Sequence, residues 1–191
     1  MESAASLHRR IELGHTAVQY AACHFGISPS EWAKFIINEL KSVAKKENVE
    51  KLLLLEDDVV FRDDTNHMFS NTINNVPDNW DILFFGGNHV SGFSPISNGV
   101  VKIYGSYAIH ACGIRNKAFD IMIKCLEENI DNVLKNQNIK FTPSVAADYF
   151  LAKLHSKLNV YCFIPHLAWQ KEGHSDIQGA HMNYDFLKRY V

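Results

Sequence analysis

Lys51-Leu-Leu-Leu-Leu-Glu-Asp-Asp-Val-Val-Phe61 is the stretch on which the fold turns. Leu52 to Leu55 run continuously, without the polar residues that alternate in a half-wet strand. Such a run marks a strand covered on both faces, as in a parallel sheet with helices on each side. The triplet Glu56-Asp57-Asp58 then stands where the strand should end. Ligands of open α/β sheets bind outside the carboxyl ends of strands, so this is the first place to look for chemistry.

Working towards the amino terminus, Pro29 at a first helical position opens a helix, with Ser28 as N-cap and Glu31 completing a capping box. Trp32, Phe35, Ile36, Leu40 and Val43 share one face of it. The stretch from about Ser3 to Phe25 reads as a further helix, ended by Gly26. Towards the carboxyl terminus, Pro77-Asp78-Asn79 turns into a second strand, Trp80 to Phe85, which ends in Gly86-Gly87-Asn88-His89. A Gly/Ser/Pro-rich loop follows to Gly99, then strands over Val100–Tyr104 and Ser106–Cys112. Helices are expected over Asn116–Glu128 and from Ser144 through Leu154, with a late strand Asn159–Ile164 closed by Pro165. A short helix from Tyr184 to Tyr190 ends the chain. Alternating helices and strands give the α/β class with a central mixed sheet.

The 191 residues suit a single domain, 1–191, with 166–191 as a C-terminal tail. A domain of that size buries roughly 70% of its unfolded surface and needs no staple to fold. Net charge is −2, against a general nucleic-acid or anionic-membrane binder, whose affinity comes from clustered positive charge. No apolar run approaches the ~18 residues of a membrane span. Cys23, Cys112, Cys125 and Cys162 form no C-x-x-C and read as reduced, packed thiols, compatible with a cytoplasmic setting.

Three adjacent carboxylates at the end of a buried strand need compensation, and a divalent cation supplies it. Hard oxygen ligands suit Mg²⁺ or Mn²⁺. The competing reading is a solvated acidic turn, the reading given to Asp63-Asp64. Gly86-Gly87 either lets a bound group approach the backbone or makes a tight turn. Asn88 and His89 would then face a sugar or phosphate. Asp148, among small apolar residues on its helix, is a candidate general base for an acceptor hydroxyl, or else an acid favoured by the helix dipole. His174 is a candidate metal ligand or diphosphate contact. His110 reads as a hydrogen-bonded core residue.

The ordered set Leu52–Val59, Trp80–Asn88, Tyr104–Ile109, Ala147–Phe150, Pro165 and His174–Ile177 resembles glycosyltransferase family 25, which includes lipooligosaccharide sugar transferases and collagen galactosyltransferase-like enzymes. The resemblance spans about Ser28 to Tyr184. It implies a GT-A-type fold with a Rossmann-like half that holds a nucleotide sugar. It also implies Asp58 as ligand of Mn²⁺ or Mg²⁺, and Glu56 and Asp57, with Gly86, Gly87 and Asn88, around the donor. Asp148 matches the family's acidic helix position; His174 and Asp176 match a tail that closes over the donor. Residues 1–27 are atypical: Leu7-His8-Arg9-Arg10 and Cys23-His24 are at best remnants of the family's opening motifs.

The implied activity is metal-dependent transfer of a hexose, galactose being one candidate, from a UDP-sugar to a hydroxyl on a glycan or hydroxylated side chain, as in lipopolysaccharide biosynthesis. The alternative is a non-catalytic, shortened relative that binds a glycan or a protein. A phosphoryl-handling receiver fits worse, because the strand after the acidic one ends in Gly86-Gly87 rather than a phospho-acceptor Asp.

Overall fold

The computed structural model describes residues 11–13, 16–23, 29–44, 49–56, 58–135, 146–175 and 180–190. Asp57 and Asp176 lie outside them, as does Ser28. The first elements are strands β1 (Ile11–Leu13) and β2 (Thr16–Cys23), not the helix expected over 3–25. Alanines in this stretch favour a helix locally, but β2 is recruited by pairing in parallel with β3 (Lys51–Glu56), and tertiary pairing overrides a weak local preference. Helix α1 (Pro29–Ala44) lies between them and buries Trp32, Ala33, Ile36, Ile37 and Leu40.

After β3 come β4 (Val59–Phe61), helix α2 (Thr65–Thr72), β5 (Ile82–Phe84), β6 (Phe93–Ser97), β7 (Val100–Ile103) and β8 (Ala111–Arg115). Helix α3 (Phe119–Lys135), α4 (Ala147–Ala152) and β9 (Val160–Phe163) follow, then β10 (Ala168–Gln170), β11 (Gly173–Ser175), β12 (Ala180–Met182) and a closing 3₁₀ turn, Asp185–Tyr190. Three boundaries differ from the sequence reading. The loop before Gly99 contains β6, which forms a hairpin with β7 across Asn98-Gly99; Gly99 has φ 77° there. The strand expected over 106–112 starts only at Ala111, because Ala108 has φ 60°, outside extended backbone. Val59 to Phe61 do not extend β3 but pair with β10 in a separate antiparallel ribbon.

The main sheet has the order β1-β2-β3-β8-β5-β9-β7-β6. β2 and β3 are parallel, β5 and β9 are parallel, and β8 runs antiparallel between β3 and β5. Hence β2, β3, β5 and β9 all point one way, and their carboxyl ends share an edge with the start of β8. Both faces of β3 are covered, as its leucines require. Leu52 and Leu54 join the core made by α1, α3 and α4, while Leu53 and Leu55 pack with Trp80, Phe85, Phe163 and the flanking Val59, Phe61 and Phe69. Phe85 sits among Phe69, Phe163 and Phe61 at centroid distances of 5.8, 5.4 and 6.3 Å.

The two faces differ in depth. Leu54 is 1% exposed and Leu53 only half-buried. Leu54→Ala is expected to cost about 2–5 kcal/mol, and Leu53→Ala clearly less. Urea unfolding of both variants checks this; a larger loss at Leu53 would reverse the assignment of the deeper face.

Candidate functional site

The carboxyl edge of the sheet gathers most of the side chains that the sequence singled out. Glu56 ends β3, and its backbone N–H donates to His110 O at 2.9 Å, which ties it to the residue before β8. Asp58 follows in the turn to β4, and its carbonyl accepts the Lys171 N–H at 2.8 Å. Gln170, at the end of β10, donates its Nε2–H₂ to Glu56 Oε2 at 3.0 Å and to Asp58 Oδ2 at 3.4 Å. One amide thus bridges the two carboxylates. Asp63 and Asp64, by contrast, are exposed; Arg62 bonds Asp64 at 2.8 Å and holds its carboxyl below the usual range.

Asp148 reaches the same region from α4. Its Oδ2 accepts the N–H of Ala108 at 3.2 Å and its Oδ1 the N–H of Tyr149 at 2.7 Å. Burial outweighs these bonds and raises its pKa above the ordinary carboxylate value. Ala108, whose φ is 60°, thus both precedes the late start of β8 and holds Asp148 through its N–H. The phenol of Tyr107 is raised by burial, then by Tyr149 and Asp148. Tyr184 is raised by burial and, in turn, by the charges of Asp58, Glu56 and Asp148. These three carboxylates come from β3, the following turn and α4.

The two glycines at the end of β5 are buried, and the chain itself approaches them closely. A Cβ on Gly86 would collide with the Ala168 carbonyl oxygen, and one on Gly87 would lie 2.6 Å from Ser106 Oγ. Leu167 and Ala168 both donate N–H to Phe85 O, at 2.7 and 3.1 Å, so the start of β10 is laid against this turn. Asn88 pairs with Tyr107 in an isolated bridge, N–H to O at 3.0 and 2.9 Å in the two directions. Its side chain is half-buried.

His89 does not face a sugar or phosphate. It is 8% exposed, with Nε2 3.1 Å from His166 Nε2 and Nδ1 3.0 Å from Ser106 Oγ. Burial, and then the neighbouring His166 and His155, push its pKa down to about 3. His166 and His155 are each pushed down to about 4, chiefly by burial. His110 is a core residue, as expected, with Nε2 3.2 Å from Ala168 O. His174 is exposed on β11, opposite His181 in a two-stranded ribbon. Among the described residues, the metal-ligating side chains that converge in a group of three are His89, Cys162 and His166, not Glu56, Asp58 and His174. Cys112, Cys125 and Cys162 are free and buried.

Sequence reasoning missed Gln170, Tyr107, Tyr184 as a site residue, and His166. Tyr107 lies within the Tyr104–Ile109 stretch but is not singled out by it; the others belong to no local motif and come to this edge through long-range packing. Among the described residues no helix is long and apolar enough to cross a membrane.

No protein-family model matches the sequence, and no curated protein matches it. Among solved structures, the chain is similar to A197 from STIV, with TM-score 0.42 and 15% identity over 79% of this chain and 74% of that one. It is also similar to mannose-1-phosphate geranyltransferase from Thermus thermophilus, with TM-score 0.38 and 11% identity over 73% of this chain. There it spans 50% of the other chain's length.

Proposed function

We propose that this chain is a glycosyltransferase that moves a hexose from a nucleotide sugar, a UDP-sugar by preference, to a hydroxyl of a glycan or hydroxylated side chain. One observation carries the reading: Glu56 and Asp58, picked out in the sequence, are bridged by Gln170 Nε2 at 3.0 and 3.4 Å at the carboxyl edge of the sheet. That edge is where nucleotides sit in open α/β folds. The ordered resemblance to glycosyltransferase family 25 supports the same reading.

Glu56 and Asp58 supply hard carboxylate oxygens of the kind that suit a divalent cation, and the Gln170 amide that bridges them would give way to it. Mn²⁺ or Mg²⁺, when bound, neutralises charge on the departing diphosphate. Asp148 takes the proton of the acceptor hydroxyl. Its raised pKa makes it a stronger base than an ordinary aspartate, and its two N–H donors fix its direction. In this reading Asp57 and Asp176 contact the donor, and His174 contacts the metal or the diphosphate.

Calorimetry with UDP and Mn²⁺ is the direct test, followed by a screen of nucleotide sugars read out as released nucleoside diphosphate. Asp58→Ala is expected to lose Mn²⁺-dependent UDP binding while remaining folded, since removing one anion from an acidic pair relieves repulsion. Binding of UDP in that variant at the parental strength would remove Asp58 from the cation site. No heat of binding from the folded parent would favour the non-catalytic alternative.

A further inference from the structure

The cluster His89, Cys162 and His166 is not used by the transfer reaction. Its members come from two adjacent parallel strands: Cys162 lies in β9 opposite Phe84 of β5, His89 follows the turn after β5, and His166 follows β9. Exposure is 8% for His89 and 0% for both Cys162 and His166. One ring nitrogen of each histidine and Cys162 Sγ all lie within 4.8 Å of one another.

The outer nitrogens of both rings are already held. His166 Nδ1 is 3.1 Å from Leu187 O, and a carbonyl only accepts, so this nitrogen carries the proton and Nε2 keeps its lone pair. His89 Nδ1 is 3.0 Å from Ser106 Oγ, whose hydroxyl donates to Tyr107 O at 3.1 Å. With the hydroxyl turned that way, Ser106 Oγ accepts from His89 Nδ1, and His89 Nε2 also offers a lone pair. The two Nε2 atoms are 3.1 Å apart, within reach of one shared cation. Rotation of the Ser106 hydroxyl towards His89 Nδ1 gives the metal-free alternative, in which the His89 Nε2–H donates to His166. Histidines with Nε2 turned inward and Nδ1 fixed by a carbonyl or hydroxyl are the usual arrangement of imidazole metal ligands.

We propose that His89 Nε2, His166 Nε2 and Cys162 Sγ bind one zinc-class transition-metal ion inside the fold. Two imidazoles and a thiolate are borderline-to-soft ligands, which select zinc over magnesium or manganese. Binding replaces the thiol proton of Cys162, which is released, and ends the S–H donation to Phe163 O at 3.3 Å. The fourth position is left for a small ligand such as water. The ion ties the ends of β5 and β9 together and, through Leu187 O on His166 Nδ1, anchors the 3₁₀ turn that follows Tyr184.

The test uses the full chain stripped of metal and reloaded with Co²⁺ or Zn²⁺. One ion per chain is expected to survive gel filtration and an excess of Mg²⁺, and the cobalt form is expected to show thiolate-to-cobalt charge-transfer absorption. Cys162→Ser should abolish that absorption, and His89→Gln should lower affinity at least tenfold with the fold retained by circular dichroism. Ser106→Ala, which frees His89 Nδ1, should weaken binding by about 10- to 100-fold. No retained ion in the folded parent, or an absorption band that persists in Cys162→Ser, would overturn the site. If Cys162→Ser does not fold, the parent's band and the His89→Gln affinity decide it: a parent without a thiolate band, or His89→Gln with parental affinity, overturns it. UDP binding is read separately, so failure here leaves the transfer reading standing, and the reverse holds too.

Discussion

Asp148→Asn is expected to lower turnover by roughly 10²- to 10⁴-fold, the range of a lost general base, with little change in apparent donor affinity. The amide cannot take a proton from the acceptor hydroxyl, whereas the cation and diphosphate contacts assigned to Glu56 and Asp58 are untouched. The shape is kept, but an amide offers one oxygen where Asp148 accepts from two N–H groups, Ala108 and Tyr149. One N–H therefore loses its partner, at a cost of about 1–3 kcal/mol if it stays dry. Relief of the buried charge opposes that loss. The pH dependence separates the two. The folded pKa of Asp148 is raised, so its contribution to stability is full below the unfolded value and is lost as pH rises through the folded one. The parent should therefore lose ground to the Asn variant as pH rises from about 4. Turnover of the parent should climb over the same window, with a midpoint above that of an ordinary aspartate. Equal losses of kcat and donor affinity in Asp148→Asn would make the residue structural.

Gly86→Ala is expected to destabilise the chain by at least about 3 kcal/mol, at the upper end of overpacking effects. The added methyl would meet the Ala168 carbonyl oxygen, which is backbone and cannot swing away. Relief requires moving the start of β10, which Leu167 and Ala168 pin to Phe85 O. Two residues further on, Gln170 bridges Glu56 and Asp58, so the shift should also disturb UDP binding. Gly113→Ala is the control. It sits in β8, where a Cβ meets the Trp80 ring at 3.5 Å, an ordinary contact. Alanine is there expected to stay within about 1 kcal/mol of the parent, since glycine in a strand carries an entropic cost of that size. Urea unfolding of the pair checks this. Equal stability of the two variants would mean that the turn after β5 is free to move.

Much of the fold is legible locally. Leu52 to Leu55 demand cover on both faces, and the structure supplies it from two separate cores. The capping signals at Pro29 and Glu31 locate α1, because a helix start is written in adjacent residues. The Asn98-Gly99 hairpin carries a local turn signal, but the prolines and serines around it mask the strand that precedes it. Residues 16–23 mislead because helix propensity is a local quantity, whereas the edge of β3 is a distant one.

The sequence by itself determined that a strand buried on both faces ends in carboxylates, and that another acid follows on a later helix. Only the tertiary structure decided which side chains meet there. The insertion of antiparallel β8 between β3 and β5 sends both carboxyl ends to one edge. Pairing of β5 with β9 then brings His89 to His166 across 77 positions of chain, and pairing of β4 with β10 brings Gln170 to Glu56 across 114. Periodicity fixes what a residue buries against its own element. Convergence of distant side chains follows from strand order, which depends on long-range pairing and has no local signature.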